Sequence, residues 1–260
     1  MWKIISYATK DMLKSKWILF YFGFFFTTTW FLLYLTNDPT KGLVSLLNII
    51  LMLIPLISLV YSIIYVYNSR EFTELLLALP IQRTTLFTGQ FISLSSGMAL
   101  SFALGTGIPF LFFGWQNSAA VGSLLNMLLM GVLLTYVFTA IAFLLSMQFD
   151  NRIKGFGLGI LIWLLLAIVY DGLLMLVMVN FSDYPLEQPV LILSMLNPID
   201  LARINILLEL DISALMGYTG AVFNRFFGTV GGLLLSLFSL LLWIGIPFFL
   251  YLRKGARKDF

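Results

Sequence analysis

Asp171, in the run IVYDGLL, is an acid set well inside an apolar stretch long enough to cross a bilayer. An ionisable group at that depth is costly unless it is paired or hydrated, so Asp171 is a functional candidate by position alone. Two roles are open to it: lining a water-filled pathway, or bonding to a neighbouring helix. No intramembrane Lys or Arg stands out as its partner, and Tyr170 points about 100° away from it on a helix. Met127 with Met130, and Met175 with Met178, are i, i+3 pairs near the same depth. Thioethers are soft ligands that suit Cu(I), but in a chain with 11 methionines packing is their commoner use, so no metal site is expected. Charge is concentrated instead in NSREFTELLLALPIQRTTLF, residues 68–87, which carries Glu71, Glu74 and Arg83 between two apolar runs.

These residues exclude most catalytic chemistry. With no histidine and no cysteine, the commonest general base, the commonest metal ligand and the thiolate nucleophile are all absent. A metal-dependent intramembrane protease needs His ligands. An aspartyl type needs two intramembrane acids, and only Asp171 is evident. A serine type lacks an identifiable base. The chain is therefore not expected to be an enzyme.

The elements that hold these residues follow from composition. The 260 residues are 60% hydrophobic and only 10% charged, against about 25% charged in a water-soluble domain. The mean hydropathy is +1.00. The fold class is all-α: a polytopic membrane protein in one domain, 1–260, with no internal repeat and no linker. Six segments have the roughly 20 apolar residues that a span requires: about 17–36, 43–67, 86–114, 120–147, 155–179 and 229–252. Lys3, Lys10, Lys14, Lys16, Arg70, Arg83, Arg152, Lys154, Arg253, Lys254, Arg257 and Lys258 fall on one side of these spans. Only Lys41, Arg203 and Arg225 fall on the other. By the positive-inside rule both termini and the 68–84 loop are cytoplasmic, and the 180–228 connection is outside. Residues 1–16 read as an amphipathic N-terminal helix, or as a positive flank that only sets topology, leading into a retained first span, since no small-residue cleavage site follows.

Within the loop, Asn68 with Glu71 resembles a capping box. Phe72, Leu75, Leu76 and Leu79 follow i, i+3, i+4, i+7 and predict one apolar face that attaches to the membrane domain. Pro80 ends the helix at Leu79. A helix of about ten residues is too short to span, so it either floats at the interface or presents its polar end to a cytosolic partner. In the outer connection, FSDYPLEQP at 181–189 reads as loop. Asn197, Pro198 and Asp200 then mark a helix start, with Arg203 one turn on from Asp200 and an apolar stripe of Leu201, Ile204, Leu207 and Leu208. A second helix is predicted over 212–227. Both are read as helices lying in, or dipping into, the outer leaflet. Ser93, Gly97, Ser101 and Gly105 in the third span, and Gly155 with Gly159 in the fifth, recur every four residues and predict close helix packing.

The run R-E-F-T-E-L-L-L-A-L-P-I-Q-R followed by a span resembles the membrane subunits of type-two ABC transporters, where E-x-x-x-x-L-L-x-x-P-x-x-R joins the second and third spans. Glu71, Leu76, Leu77, Pro80 and Arg83 carry the match. Six spans, the N-terminal helix and the long connection before the last span fit the same family, so the resemblance covers essentially the whole chain. It implies a coupling helix in the 68–84 loop, seated on a separate cytoplasmic ATPase through Glu71, Phe72, Glu74, Leu75, Leu79, Pro80 and Arg83. It also implies a second copy of the chain. No GxxxxGK[ST] sequence is present, so no cofactor is expected in this chain, and ATP and Mg²⁺ belong to the partner.

L-N-P-x-D-x-x-R, carried by Leu196, Asn197, Pro198, Asp200 and Arg203, resembles the permeases of nitrous-oxide reductase maturation within that family. This resemblance implies export of a sulfur species, or copper, for the copper–sulfide centre of that enzyme. It further implies a bacterial inner-membrane location and a periplasmic copper-handling protein docking near these outer helices. Membrane lipid is the remaining partner, and no nucleic acid is expected. Export of another cargo, or a non-transporting scaffold for periplasmic assembly, are the alternatives. Capping and bracing alone also account for Asn197 to Arg203.

Overall fold

A computed structural model describes residues 16–36, 38–78, 82–113, 118–181, 187–210 and 218–257. The predicted N-terminal helix, together with Leu79 and Pro80, lies outside the described residues. Among the described residues the chain is helical throughout, with six helices long and apolar enough to cross a membrane. They are α1 (Lys16–Thr36), α2 (Pro39–Asn68), α4 (Arg83–Phe113), α5 (Ser118–Gln148), α6 (Arg152–Asn180) and α10 (Val230–Arg257). Short helices fill the connections: α3 (Arg70–Leu77), α7 (Glu187–Met195), α8 (Pro198–Glu209) and α9 (Tyr218–Phe227). The six spans match the predicted segments to within a few residues. The end of the bundle that holds Lys16, Arg70, Arg83, Arg152 and Arg257 is called the basic side below.

The fourth span, α5, is the hub. It packs on α2, α4, α8 and α10, and Met127, Met130, Leu134, Phe138 and Phe143 are all buried along it. Small residues allow the closest contacts, as their spacing predicts. A Cβ on Gly105 would sit 2.9 Å from the backbone oxygen of Phe22, so α4 and α1 touch nearly backbone to backbone. A Cβ on Gly159 would meet Ile63 and Leu59 at 2.6 Å, which seats α6 on α2. At the start of α2, Asp38 caps the helix, its carboxylate accepting from Thr40 Oγ1 at 2.6 Å and Thr40 N at 3.0 Å. Those two bonds hold the Asp38 carboxyl below the usual carboxylate range.

Several details differ from the sequence expectation. Asn68 is the last residue of α2 rather than the cap of α3, so the capping box does not form. Ser69 alone separates the two helices: its N–H bonds Tyr65 O, and its own carbonyl accepts from Thr73 N. Its hydroxyl turns back to Val66 O at 3.3 Å, which leaves α3 with no side-chain cap. The fifth span is not a uniform α-helix. Residues Leu165–Val169 form a π turn, in which Tyr170 N–H reaches back five residues to Leu165 O.

The 181–189 segment was expected to be loop, but α7 begins at Glu187. Pro189 sits in its first turn, where a missing N–H costs nothing, and the apolar run VLILSM supplies the rest. The second outer helix is present over Tyr218–Phe227, and residues 211–217, which include the start of the predicted range, lie outside the described residues.

Candidate functional site

Two regions gather the charged and polar side chains. The first is α3, on the basic side. Thr73 is its buried residue. Its hydroxyl donates to Ser69 O at 2.8 Å and accepts from Gln90 Nε2 of α4 at 2.8 Å. Leu77, one turn on, packs against the core. The inward face is therefore Thr73 and Leu77 rather than Phe72 and Leu75 of the predicted stripe; Leu76 is half-buried, and Leu79 lies outside the described residues. Phe72 is 54% exposed and Leu75 71% exposed, both turned away from the bundle. The reason is register: α3 continues from α2 through one residue, so α2 sets its rotation, and Thr73 lands opposite Gln90.

Glu71 and Glu74 are exposed beside the two hydrophobic residues, and Arg83 is exposed at the first turn of α4. Arg70 binds Glu74 at 3.2 Å and reaches Asp150, in the turn before α6, at 3.3 Å. The helix thus offers an apolar pair ringed by acids, held to the bundle by one buried hydroxyl and one arginine. That surface suits a protein partner with a shallow apolar groove and basic rim.

The second region is the pair α7–α8 at the opposite end. The two helices meet at 110° and together form a broken span or re-entrant loop. Of the two placements expected for α8, lying in the outer leaflet or dipping into it, the bend fits the second. Leu201 and Ile204 of its predicted stripe are buried, but so are Pro198, Ile199, Asp200, Ala202, Asn205 and Ile206, so little of this helix faces outward. A broken helix at this depth leaves backbone groups that water does not reach, and side chains from the spans must satisfy them. They do so in detail. Tyr170 hydroxyl donates to Leu193 O at 2.6 Å, and Ser239 Oγ to Met195 O at 3.2 Å. Asn126 Nδ2 donates to Asn205 O at 2.9 Å, and Ser123 Oγ to Glu209 O at 3.3 Å. Ser236 Oγ donates to the Asn205 side chain at 3.1 Å.

Asn197, completely buried at the bend, uses every polar atom it has. Its Oδ1 accepts from Ile199 N at 3.0 Å, as the N-cap pattern predicts. Its Nδ2 donates to Leu166 O, within the π turn of α6, at 2.8 Å and to Asp200 Oδ2 at 3.0 Å. Beside it, Arg203 Nη1 lies 2.5 Å from Asp171 Oδ2 and 3.3 Å from Asp200 Oδ1. Asp171 therefore does have a basic partner. Sequence reasoning placed Arg203 with the outer charges, but the re-entrant turn carries it back to the fifth span.

The structure thus brings Asp171, Asn197, Asp200 and Arg203 together, with Pro198 at the first turn of α8. Glu71, Phe72, Glu74 and Leu75 share α3, and Arg83 opens the next helix. Met127 and Met130 are buried core residues, Met175 is 65% exposed, and Met178 is partly buried. No group of three or more acids is placed to hold a metal among the described residues. Sequence reasoning missed Ser123, Asn126, Tyr170, Asn205, Ser236 and Ser239. Their signal was available: each lies in a mainly apolar run, where a polar group must find a partner.

A family profile described as ABC-2 family transporter protein matches residues 3–256, nearly the whole chain. The chain belongs to this family. It is also similar to the "Probable ABC transporter permease protein NosY" of Stutzerimonas stutzeri, with 26% identity over 222 residues, covering 78% of this chain and 80% of that one. This ABC-2 chain is accordingly a multi-pass membrane permease. Its α3 lies between the second and third spans, where the family resemblance puts the coupling helix.

Proposed function

We propose that the chain is the membrane subunit of an ATP-driven exporter in a bacterial inner membrane, with both termini cytoplasmic. Two copies pair, and each rests on a separate ABC ATPase that binds ATP and Mg²⁺. The observation that carries this reading is α3: an exposed apolar pair, Phe72 and Leu75, flanked by Glu71 and Glu74 on a helix anchored from behind by Thr73. Exposed hydrophobic side chains on the water-facing end of a membrane protein favour a partner that covers them. The cargo is a sulfur species, or copper, destined for the copper–sulfide centre of nitrous oxide reductase, and a periplasmic copper-handling protein docks near α7–α9. The likeness to the NosY permease and the L-N-P-x-D-x-x-R sequence support this finer reading.

The test is purification of the tagged protein from native membranes in mild detergent, with identification of bound proteins and an ATP hydrolysis assay. An ATPase in stoichiometric amount is expected, and Glu71→Lys with Glu74→Lys is expected to release it. Retention of the ATPase by the double variant, with transport intact, removes α3 from the coupling role. No bound ATPase and no hydrolysis would instead favour a scaffold.

A further inference from the structure

The fifth span, α6, is the least buried of the six, with 11% of its apolar window buried against 67% for α5. It is nevertheless fastened by polar contacts at both ends and in the middle. At the basic end the turn that feeds it is held by Tyr67, whose hydroxyl donates to Phe149 O at 2.6 Å. Arg70 reaches Asp150 in the same turn. Tyr67 and Arg70 lie on either side of the junction between α2 and α3.

Along the helix Gly155, Gly159 and Trp163, at i, i+4 and i+8, are its buried residues over the first half. A Cβ on Gly155 would collide with the Tyr67 hydroxyl. Trp163 Nε1 donates to Met52 O at 3.2 Å, one residue from the carbonyl of Leu51 that Pro55 deprives of its helical donor. At the far end the π turn offers Leu166 O to Asn197, Asp171 binds Arg203, and Tyr170 binds Leu193 O. Every one of these ties leads either to the coupling helix and α2 or to the re-entrant pair.

We propose that α6 carries displacement of α3 to the re-entrant pair α7–α8. Tyr67 and Arg70 are its positioning residues at one end, and Asn197 and Arg203 at the other. Asn197 bonds Leu166 O where water does not reach, and Gly155 and Gly159 seat α6 directly on α2, so a shift at one end is passed on rather than absorbed. The source of the push rests on the function proposed above, but the linkage between the two ends is a property of the chain itself. Because such coupling is reciprocal, breaking either end must be felt at the other.

The test is hydrogen–deuterium exchange of the purified chain in lipid nanodiscs, without any ATPase. Tyr67→Phe removes one hydroxyl, and Asp171→Asn removes one charge. Each is expected to speed exchange roughly fivefold at both 70–77 and 190–209, the effect of losing one hydrogen bond. Exchange in α1 and α4 is expected to stay unchanged. The double swap Asp171→Arg with Arg203→Asp re-forms an ion pair, and exchange at α3 is expected to return toward the native rate. The proposal is overturned if each variant changes exchange only at its own end, or if both loosen the whole bundle. Absence of a co-purifying ATPase would overturn the proposed function and leave this exchange pattern standing.

Discussion

α3 and α8 are both short helices entered directly from another helical element, and the two differ in almost every other respect. α3 has eight residues, no side-chain cap and one buried side chain. α8 has twelve residues, an Asn cap and eight buried side chains. On α3 the large apolar groups point outward; on α8 an acid and two amides are taken inside and paired. Hydrophobic spacing does not separate the two, since both sequences carry a helical stripe. The accounting of polar groups does. A buried helix end needs donors for its carbonyls, and on α8 Asn205 O and Glu209 O receive them from α5 and Ile206 O from Leu210 N–H. α3 needs few because water reaches it, so its exposed apolar residues are free to serve contact rather than stability.

That contrast yields ordered expectations. Asn197→Ala removes the cap of α8 and takes the amide donor from Leu166 O and from Asp200 at a bend that water does not reach. It is expected to cost about 3 kcal/mol, read as unfolding by denaturant titration in micelles. Arg203→Ala leaves two carboxyls facing one another. It is expected to cost about 2 kcal/mol, less than a fully buried pair because Asp171 and Arg203 are partly exposed. Thr73→Val keeps the shape of the side chain but strands Gln90, for about 1 kcal/mol in the same titration. Phe72→Ala with Leu75→Ala is expected to change stability by less than about 0.5 kcal/mol while abolishing retention of the ATPase. Equal stability losses from the α3 and α8 substitutions would erase the distinction between the two regions.

The six spans were legible because length and hydropathy are local properties, and each span is an uninterrupted run. Gly105 and Gly159 were legible for a similar reason: a four-residue spacing of small residues puts them on one face. The Asn197 cap was legible from Asn-Pro-x-Asp. The Asp171–Arg203 pair was not, because the two residues are 32 positions apart and only the 110° bend returns α8 to α6. The π turn has no sequence mark within LLAIV. The inward face of α3 was misjudged because its rotation is set by α2 through Ser69, a constraint that the stripe in α3 does not contain.

The central claim is that α3, and not the re-entrant pair, meets the ATPase. The chain has no cysteine, so a single introduced thiol is unique. Leu75→Cys and Ile192→Cys both replace exposed residues, on α3 and α7 respectively. In complexes isolated from native membranes, a short thiol-to-amine cross-linker is expected to join the Leu75→Cys chain to the ATPase and to leave the Ile192→Cys chain unjoined. Cross-linking of the ATPase through Ile192→Cys, or through neither site in a complex that hydrolyses ATP, would contradict the account.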